Sequence, residues 1–212
     1  MIFPLFRELF VHLFFERTKI PVHCLGKCPN DRTKCGLPIA ERNALRLRQR
    51  SASAVSIMQN YRFAVVFENS NKGITEKIQN AYLADAIPIY FGPPRKLLDE
   101  TLNPKAYVHC DLPQNMSLRT IKRKICQSDS WQLVKNETCD DIFERHMFSE
   151  VSPYFQSCID YIVSLLSDHE AYENMLSEPL APVNENGDLT GTWNTTFLGE
   201  TVRMAMVAIG YD

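Results

Sequence analysis

The stretch Tyr61–Pro94, YRFAVVFENSNKGITEKIQNAYLADAIPIYFGPP, constrains the fold of this chain more than any other. Phe63–Phe67 is a short apolar run rich in valine and phenylalanine, which suits a strand buried on both faces. After the polar residues Glu68–Gly73, the segment Ile74–Ala86 carries Ile78, Ala81, Tyr82 and Ala86 at three- and four-residue steps, the spacing of one helix face. A second apolar run, Ile87–Phe91, ends at Gly92-Pro93-Pro94, where a glycine and two prolines stop regular structure. Strand, helix and strand within about thirty residues spell a βαβ crossover, because parallel strands cannot be joined by a tight turn. Sheets of this kind take ligands at the carboxyl ends of their strands, which singles out Glu68, Asn69 and Ser70 together with Thr75-Glu76-Lys77.

Those positions suit an anion that carries hydroxyls. The first turn of a helix presents backbone N–H groups and the positive end of its dipole, and Lys77 adds a full charge beside it. Asn69 and Glu76 can hydrogen-bond to ribose or sugar hydroxyls. On spacing alone, Glu76 and Lys77 read equally well as solvated charges on a helix surface. Neither a Gly-x-Gly-x-x-Gly nor a P-loop motif is present, so dinucleotide and P-loop chemistry are not indicated.

A chain of 212 residues holds one sizeable domain, and its 45% hydrophobic and 23% charged content is that of a folded protein. A net charge of -2 gives no support to nucleic-acid binding, and the arginines at 42, 46, 48 and 50 read as a solvated connector. Pro4–Phe15 reads as an amphipathic helix with Leu5, Leu9, Phe10 and Leu13 on one face; Arg7, Glu8 and His12 interrupt it too often for a signal or membrane anchor. By itself Arg7 reads as a solvated charge. Seven cysteines and three glycosylation sequons, at Asn115, Asn136 and Asn194, favour an oxidising secretory lumen. Cys24, Cys28 and Cys35 have no fourth cysteine nearby, so zinc is not indicated.

Further along, Leu97–Lys105 is expected to form a short helix or turn and Ala106–Cys110 a short strand. The polar segment Asn115–Pro153 reads as a surface insertion that a Cys126–Cys139 bridge could pin. Helical spacing returns at Cys158–Leu166 and His169–Leu176; Pro179–Asp188 is expected to be a loop and Thr196–Ile209 a final helix.

Taken together, Phe67-Glu-Asn-Ser70, Ile74-Thr-Glu-Lys77 and Ala86-Ile-Pro-Ile-Tyr-Phe-Gly92 resemble the signature of the α1,3/α1,4-fucosyltransferases, glycosyltransferase family 10. Asn103-Pro-Lys-Ala-Tyr-Val108, Cys158-Ile-Asp-Tyr-Ile162 and Ala171-Tyr-Glu-Asn-Met-Leu176 are similar to later segments of that family, and Arg7–Leu13 and Gly26-Lys-Cys28 to earlier ones. The resemblance implies a Rossmann-like α/β domain, a parallel sheet flanked by helices, as found in the C-terminal half of a GT-B glycosyltransferase. Residues 1–212 would then be the GDP-fucose-binding domain, with the insertion at 115–153. It implies that Arg7 supplies a cation to the donor pyrophosphate and that Asn69, Glu76 and Lys77 bind the donor, Lys77 near the phosphates.

The expected chemistry is transfer of L-fucose from GDP-fucose to a glycan hydroxyl with inversion, needing no metal or other cofactor at the donor site. The family also implies the Golgi lumen, with a membrane anchor, an acceptor domain and the general base all outside this chain. The sequence departs from the family pattern at Asn71–Gly73, where the loop is short and Gly73 replaces a common aromatic. A non-catalytic nucleotide-sugar-binding or interaction module derived from the same family is the alternative.

Overall fold

The computed structural model describes residues 3–23, 54–68, 73–111 and 139–182. Within them the element order is α1 (Phe3–Thr18), α2 (Ala54–Met58), β1 (Phe63–Phe67), α3 (Glu76–Tyr82), β2 (Ile87–Phe91), α4 (Arg95–Asp99), β3 (Val108–His109), α5 (Cys139–Ser167) and α6 (His169–Leu176). The three strands form one parallel sheet in the order β1-β2-β3. Phe63 pairs with Ile87 and Phe67 with Phe91, so β1 and β2 run in full register and end together.

Because side chains alternate across a strand, each strand feeds two separate cores. Phe67, Ile87, Ile89, Phe91, Val108 and Cys110 face a layer made by α1 and α5, where Phe6, Phe10, Phe155, Ile159 and Ile162 are buried. Ala64, Val66, Tyr90 and Tyr107 face the opposite layer, which is closed by Ile78 and Ala81 of α3 and by Leu98 and Leu102. Burial on both faces explains why β1 and β2 read as continuous apolar runs without polar alternation.

Helix α3 is shorter than the expected Ile74–Ala86. It stops at Tyr82 because the N–H groups of Ala84 and Ala86 both turn back to the Ala81 carbonyl, with Asp85 in the left-handed region at φ 53°. The apolar spacing that continues to Ala86 belongs to a closing turn that is buried with the helix. The predicted helix or turn at Leu97–Lys105 is α4 followed by turns, and only Val108–His109 of the predicted strand Ala106–Cys110 are in the sheet as β3.

Part of the expected surface insertion is core. Residues 139–153 form the first half of α5, a 29-residue helix that runs through Pro153, and Phe143 and Val151 are buried. Proline inside a helix removes a hydrogen bond and costs about 3 kcal/mol, which is why the sequence reads as a break there. Val151 and Phe155, four residues apart and both fully buried, hold the helix together across it. Residues 115–138 lie outside the described residues, as do the Cys24–Cys35 segment, the Arg42–Arg50 run and the predicted Thr196–Ile209 helix.

The sulfurs of Cys110, just after β3, and Cys158, in α5, form a disulfide that ties the sheet to the α1/α5 layer. Cys126 lies outside the described residues. Among the described residues, no helix is long and apolar enough to cross a membrane.

Candidate functional site

The C-terminal end of β1 collects the ionic groups of the fold. Glu68 follows the last strand residue and extends the ladder, its N–H donating to the Phe91 carbonyl at 2.8 Å. Its carboxylate is 1% exposed and is fully occupied. Oε1 accepts from the Thr75 N–H at 2.8 Å, from the Thr75 hydroxyl at 3.0 Å and from the Tyr90 hydroxyl at 3.2 Å. Oε2 accepts from the Thr75 hydroxyl at 2.8 Å and from Lys77 Nζ at 3.1 Å. A carboxylate buried this deeply is tolerated only when a cation and several donors satisfy it, and here they do.

Glycine at position 92 makes room for this arrangement. A Cβ there would stand 2.8 Å from Cγ of Glu68 and 3.1 Å from the Tyr90 hydroxyl. Burial, then the charge of Glu68 and the hydrogen bond to it, push the Tyr90 phenol far above its ordinary value of 10.0, so it remains a donor.

Thr75 sits at the N-cap of α3 with an extended backbone, yet its hydroxyl makes no bond to the helix and turns to Glu68 instead. With seven residues, α3 carries only a small dipole, so full charges matter more here than the helix terminus. Lys77 supplies one of them. Its side chain is 32% exposed, and Nζ donates both to Glu68 and, at 3.3 Å, to the Phe67 carbonyl.

Arg7 supplies the other. Its Nη2 donates to the same Phe67 carbonyl at 3.2 Å, from a helix sixty residues earlier in the chain. The neighbours Phe6 and Phe10 pack in the aromatic layer against Phe91 and Phe67, and this seats α1 so that Arg7, itself exposed, reaches the strand end. Arg7 and Lys77 are therefore no further apart than two hydrogen bonds to one oxygen allow. At about 6 Å and an effective dielectric of about 20, two such charges repel by about 3 kcal/mol, less where water screens them. Glu68 cancels one of the two charges, which leaves an excess of positive charge facing outward.

Of the four residues predicted to bind the donor, the structure brings Arg7 and Lys77 together on one atom. Glu76 is exposed at the first position of α3, beside Lys77. Asn69 lies outside the described residues. Glu68 was singled out in the sequence only as part of the strand end, although a lone acidic residue directly after a doubly buried apolar run is itself a signal of a paired buried charge. Among the described residues no group of His, Cys, Asp and Glu is placed to hold a metal ion.

A concavity of about 440 Å³ opens beside β3 between Arg95, Lys105, Tyr107 and His109 on one side and Tyr161, Asn174 and Met175 on the other. None of Arg7, Glu68, Glu76 or Lys77 lines it. Burial pushes the Tyr107 phenol up to about 12 and lowers His109 below its usual value.

This geometry can be set beside known proteins. A 54-residue stretch is 48% identical to alpha-(1,3)-fucosyltransferase 7 of Bos taurus, a match that covers 24% of this chain and 16% of that relative. The chain thus matches about a sixth of the length of this curated relative. A crystal structure of alpha1,3-fucosyltransferase shares the fold with a TM-score of 0.55 at 21% identity, over 98% of this chain and 43% of that one. A crystal structure of alpha1,3-fucosyltransferase with GDP-fucose also gives 0.55 at 21% identity, over 100% of this chain and 45% of that one. The expected Rossmann-like α/β class is therefore the observed one. The family model described as glycosyltransferase family 10 (fucosyltransferase), C-terminal, matches residues 7–127, more than half of the sequence and the whole of the Arg7–Glu68–Lys77 cluster, so this chain belongs to that family.

Proposed function

We propose that the chain is the donor half of a fucosyltransferase, binding GDP-fucose at the end of β1. The observation that supports this most directly is the meeting of Arg7 and Lys77 on the Phe67 carbonyl, two cations whose mutual repulsion an anion would relieve. A diphosphate fits that need, because each of its groups offers several acceptor oxygens to charge-assisted donors. The guanidinium has N–H groups beyond the one directed at Phe67, and the Lys77 ammonium has three protons, of which two are directed at Phe67 and Glu68. Asn69 and the exposed Glu76 would take the hydroxyls of ribose or fucose.

In the reaction, a glycan hydroxyl attacks the anomeric carbon of fucose from the face opposite GDP. The bond to the diphosphate oxygen breaks and configuration inverts. Negative charge grows on the departing diphosphate, and Arg7 and Lys77 are placed to stabilise it without reorganising. Fixed cations do there what a divalent ion does elsewhere, so the donor site is proposed to work without a metal, and GDP binding should be unchanged by a chelator. The acceptor hydroxyl passes its proton to a base supplied from outside this cluster. The disulfide and the three sequons support work in the lumen of the secretory pathway.

Calorimetric titration with GDP and GDP-fucose tests the proposal. Native chain should bind in the micromolar range, and Lys77→Ala should weaken binding by about 1–3 kcal/mol, the worth of a hydrogen bond to a charged group. Absence of binding by native chain at millimolar ligand would refute the donor site. Binding of GDP-fucose without fucose transfer by any longer form of the protein would favour the non-catalytic module instead.

A further inference from the structure

We propose that Glu68 is a positioning residue for the anion site, holding the Lys77 ammonium, directly and through the Thr75 turn that starts its helix, in the geometry that receives the diphosphate; this rests on the donor-site reading above. The carboxylate is buried to 1% exposure, so it is not a surface that a ligand can approach. Its five contacts go to Thr75, Lys77 and Tyr90, three residues on two different elements and a cap. The contacts to Thr75 and Lys77 fix groups at the site, and the contact to Tyr90 anchors the carboxylate from behind. Thr75 N–H and hydroxyl fix where α3 begins, and the Lys77 contact fixes the direction of the ammonium, which would otherwise sweep through the rotamers of a flexible four-carbon stem. Tyr90 is fully buried on β2 and cannot reach the ligand, so its hydroxyl serves only to hold Glu68 in place.

Charge and position make opposite forecasts, which gives the proposal a sign. A carboxylate acting only through its charge repels a diphosphate, and neutralising it should tighten binding. A carboxylate that acts by placing Lys77 should loosen binding when neutralised, and the loss should vanish once Lys77 is gone.

Titration of GDP onto the 212-residue chain, on Glu68→Gln, Lys77→Ala and the double variant, separates these. Glu68→Gln should weaken GDP at least about tenfold, while the double variant should bind within about twofold of Lys77→Ala alone. Unchanged or tighter binding by Glu68→Gln overturns the positioning role, and so does a double variant that shows both losses in full. If circular dichroism shows that Glu68→Gln fails to fold, Tyr90→Phe takes its place as the milder change, with an expected loss of about 2–5-fold; unchanged binding there overturns the proposal. A native chain that binds no GDP defeats the donor-site reading and this role with it, whereas native binding with an additive cycle defeats the positioning role alone.

Discussion

Arg7 and Lys77, on helices separated by most of the N-terminal third of the chain, donate to one carbonyl oxygen, that of Phe67. Removing either cation should weaken GDP, by about 1–3 kcal/mol each for a charge-assisted hydrogen bond. Because both would act on one diphosphate, the two losses should be coupled, and a double-mutant cycle on Arg7→Ala and Lys77→Ala should depart from additivity. Affinity should also fall as salt is raised, since the exposed guanidinium is screened. Titration at two ionic strengths checks both points; additive losses with no salt dependence would place the two cations in separate sites.

Gly92→Ala should disturb the site without touching a charge. Its new Cβ would meet Glu68 at 2.8 Å and the Tyr90 hydroxyl at 3.1 Å, so one of them must move. Overpacking of this kind costs about 1–3 kcal/mol. Urea unfolding should show that loss, and titration should show weaker GDP, because the displaced carboxylate is the one that holds Lys77.

Two buried phenols set an alkaline limit. Tyr90 is raised by burial and then by Glu68, and Tyr107 is raised to about 12 by burial. In the unfolded chain both would ionise near their ordinary value of 10.0, so above that pH the unfolded state binds fewer protons than the folded one. Stability is therefore fully present below pH 10 and should decline as pH rises toward 12. Melting temperatures across that range should fall less steeply for Tyr107→Phe than for the native chain.

The βαβ unit is legible in the sequence because double burial writes β1 and β2 as unbroken apolar runs and because glycine and proline punctuate the second. Lys77 is only half legible: the crossover puts it at the start of the helix after the first strand, where spacing alone reads equally well as a solvated charge, and the resemblance to a family pointed to the anion. Arg7 is not legible from spacing, since its approach to Phe67 depends on how an aromatic layer sixty residues away seats α1, and only the resemblance to a family pointed to it. Glu68 gave a weak signal, a charge at the edge of a buried run, but its partners Tyr90 and Thr75 are assembled only when the strands come into register. Residues 139–153 misled because Pro153 and the polar residues around it look like a surface segment, although Phe143, Met147, Val151 and Phe155 recur at four-residue steps, a helical spacing that the sequence does carry.

The Cys110–Cys158 disulfide closes a loop of 48 residues, and no spacing rule in the sequence indicates that pairing. In the chain-entropy account, a cross-link over such a loop stabilises by about 4 kcal/mol. The pair Cys110→Ala and Cys158→Ala should lower the urea midpoint by a corresponding amount. Both cysteines are buried, so a mild reductant should act on the native protein slowly and on the unfolded chain quickly. Thiol labelling with and without urea measures that difference, and rapid labelling in native buffer would show that the bridge is exposed.

Phe155 is the residue on which the site and the core depend together. Its ring lies 5.7 Å from Phe10, 6.1 Å from Phe67 and from Phe91, and 6.3 Å from Phe6, so it joins α1 to the ends of β1 and β2. Phe155 is fully buried, and truncation to alanine should cost about 3–5 kcal/mol through lost packing and the cavity left behind. Phe155→Leu keeps most of the volume and should cost less than about 1.5 kcal/mol if the neighbours repack. The two variants separate stability from function. With the leucine variant still folded, any loosening of α1 shifts Arg7 from the Phe67 carbonyl while Lys77, held by Glu68, stays in place. GDP affinity in Phe155→Leu should then fall toward that of Arg7→Ala, and adding Arg7→Ala to it should cost little more. A leucine variant that binds GDP as the native chain does would show that Arg7 is held by its own hydrogen bond and not by the aromatic layer behind it.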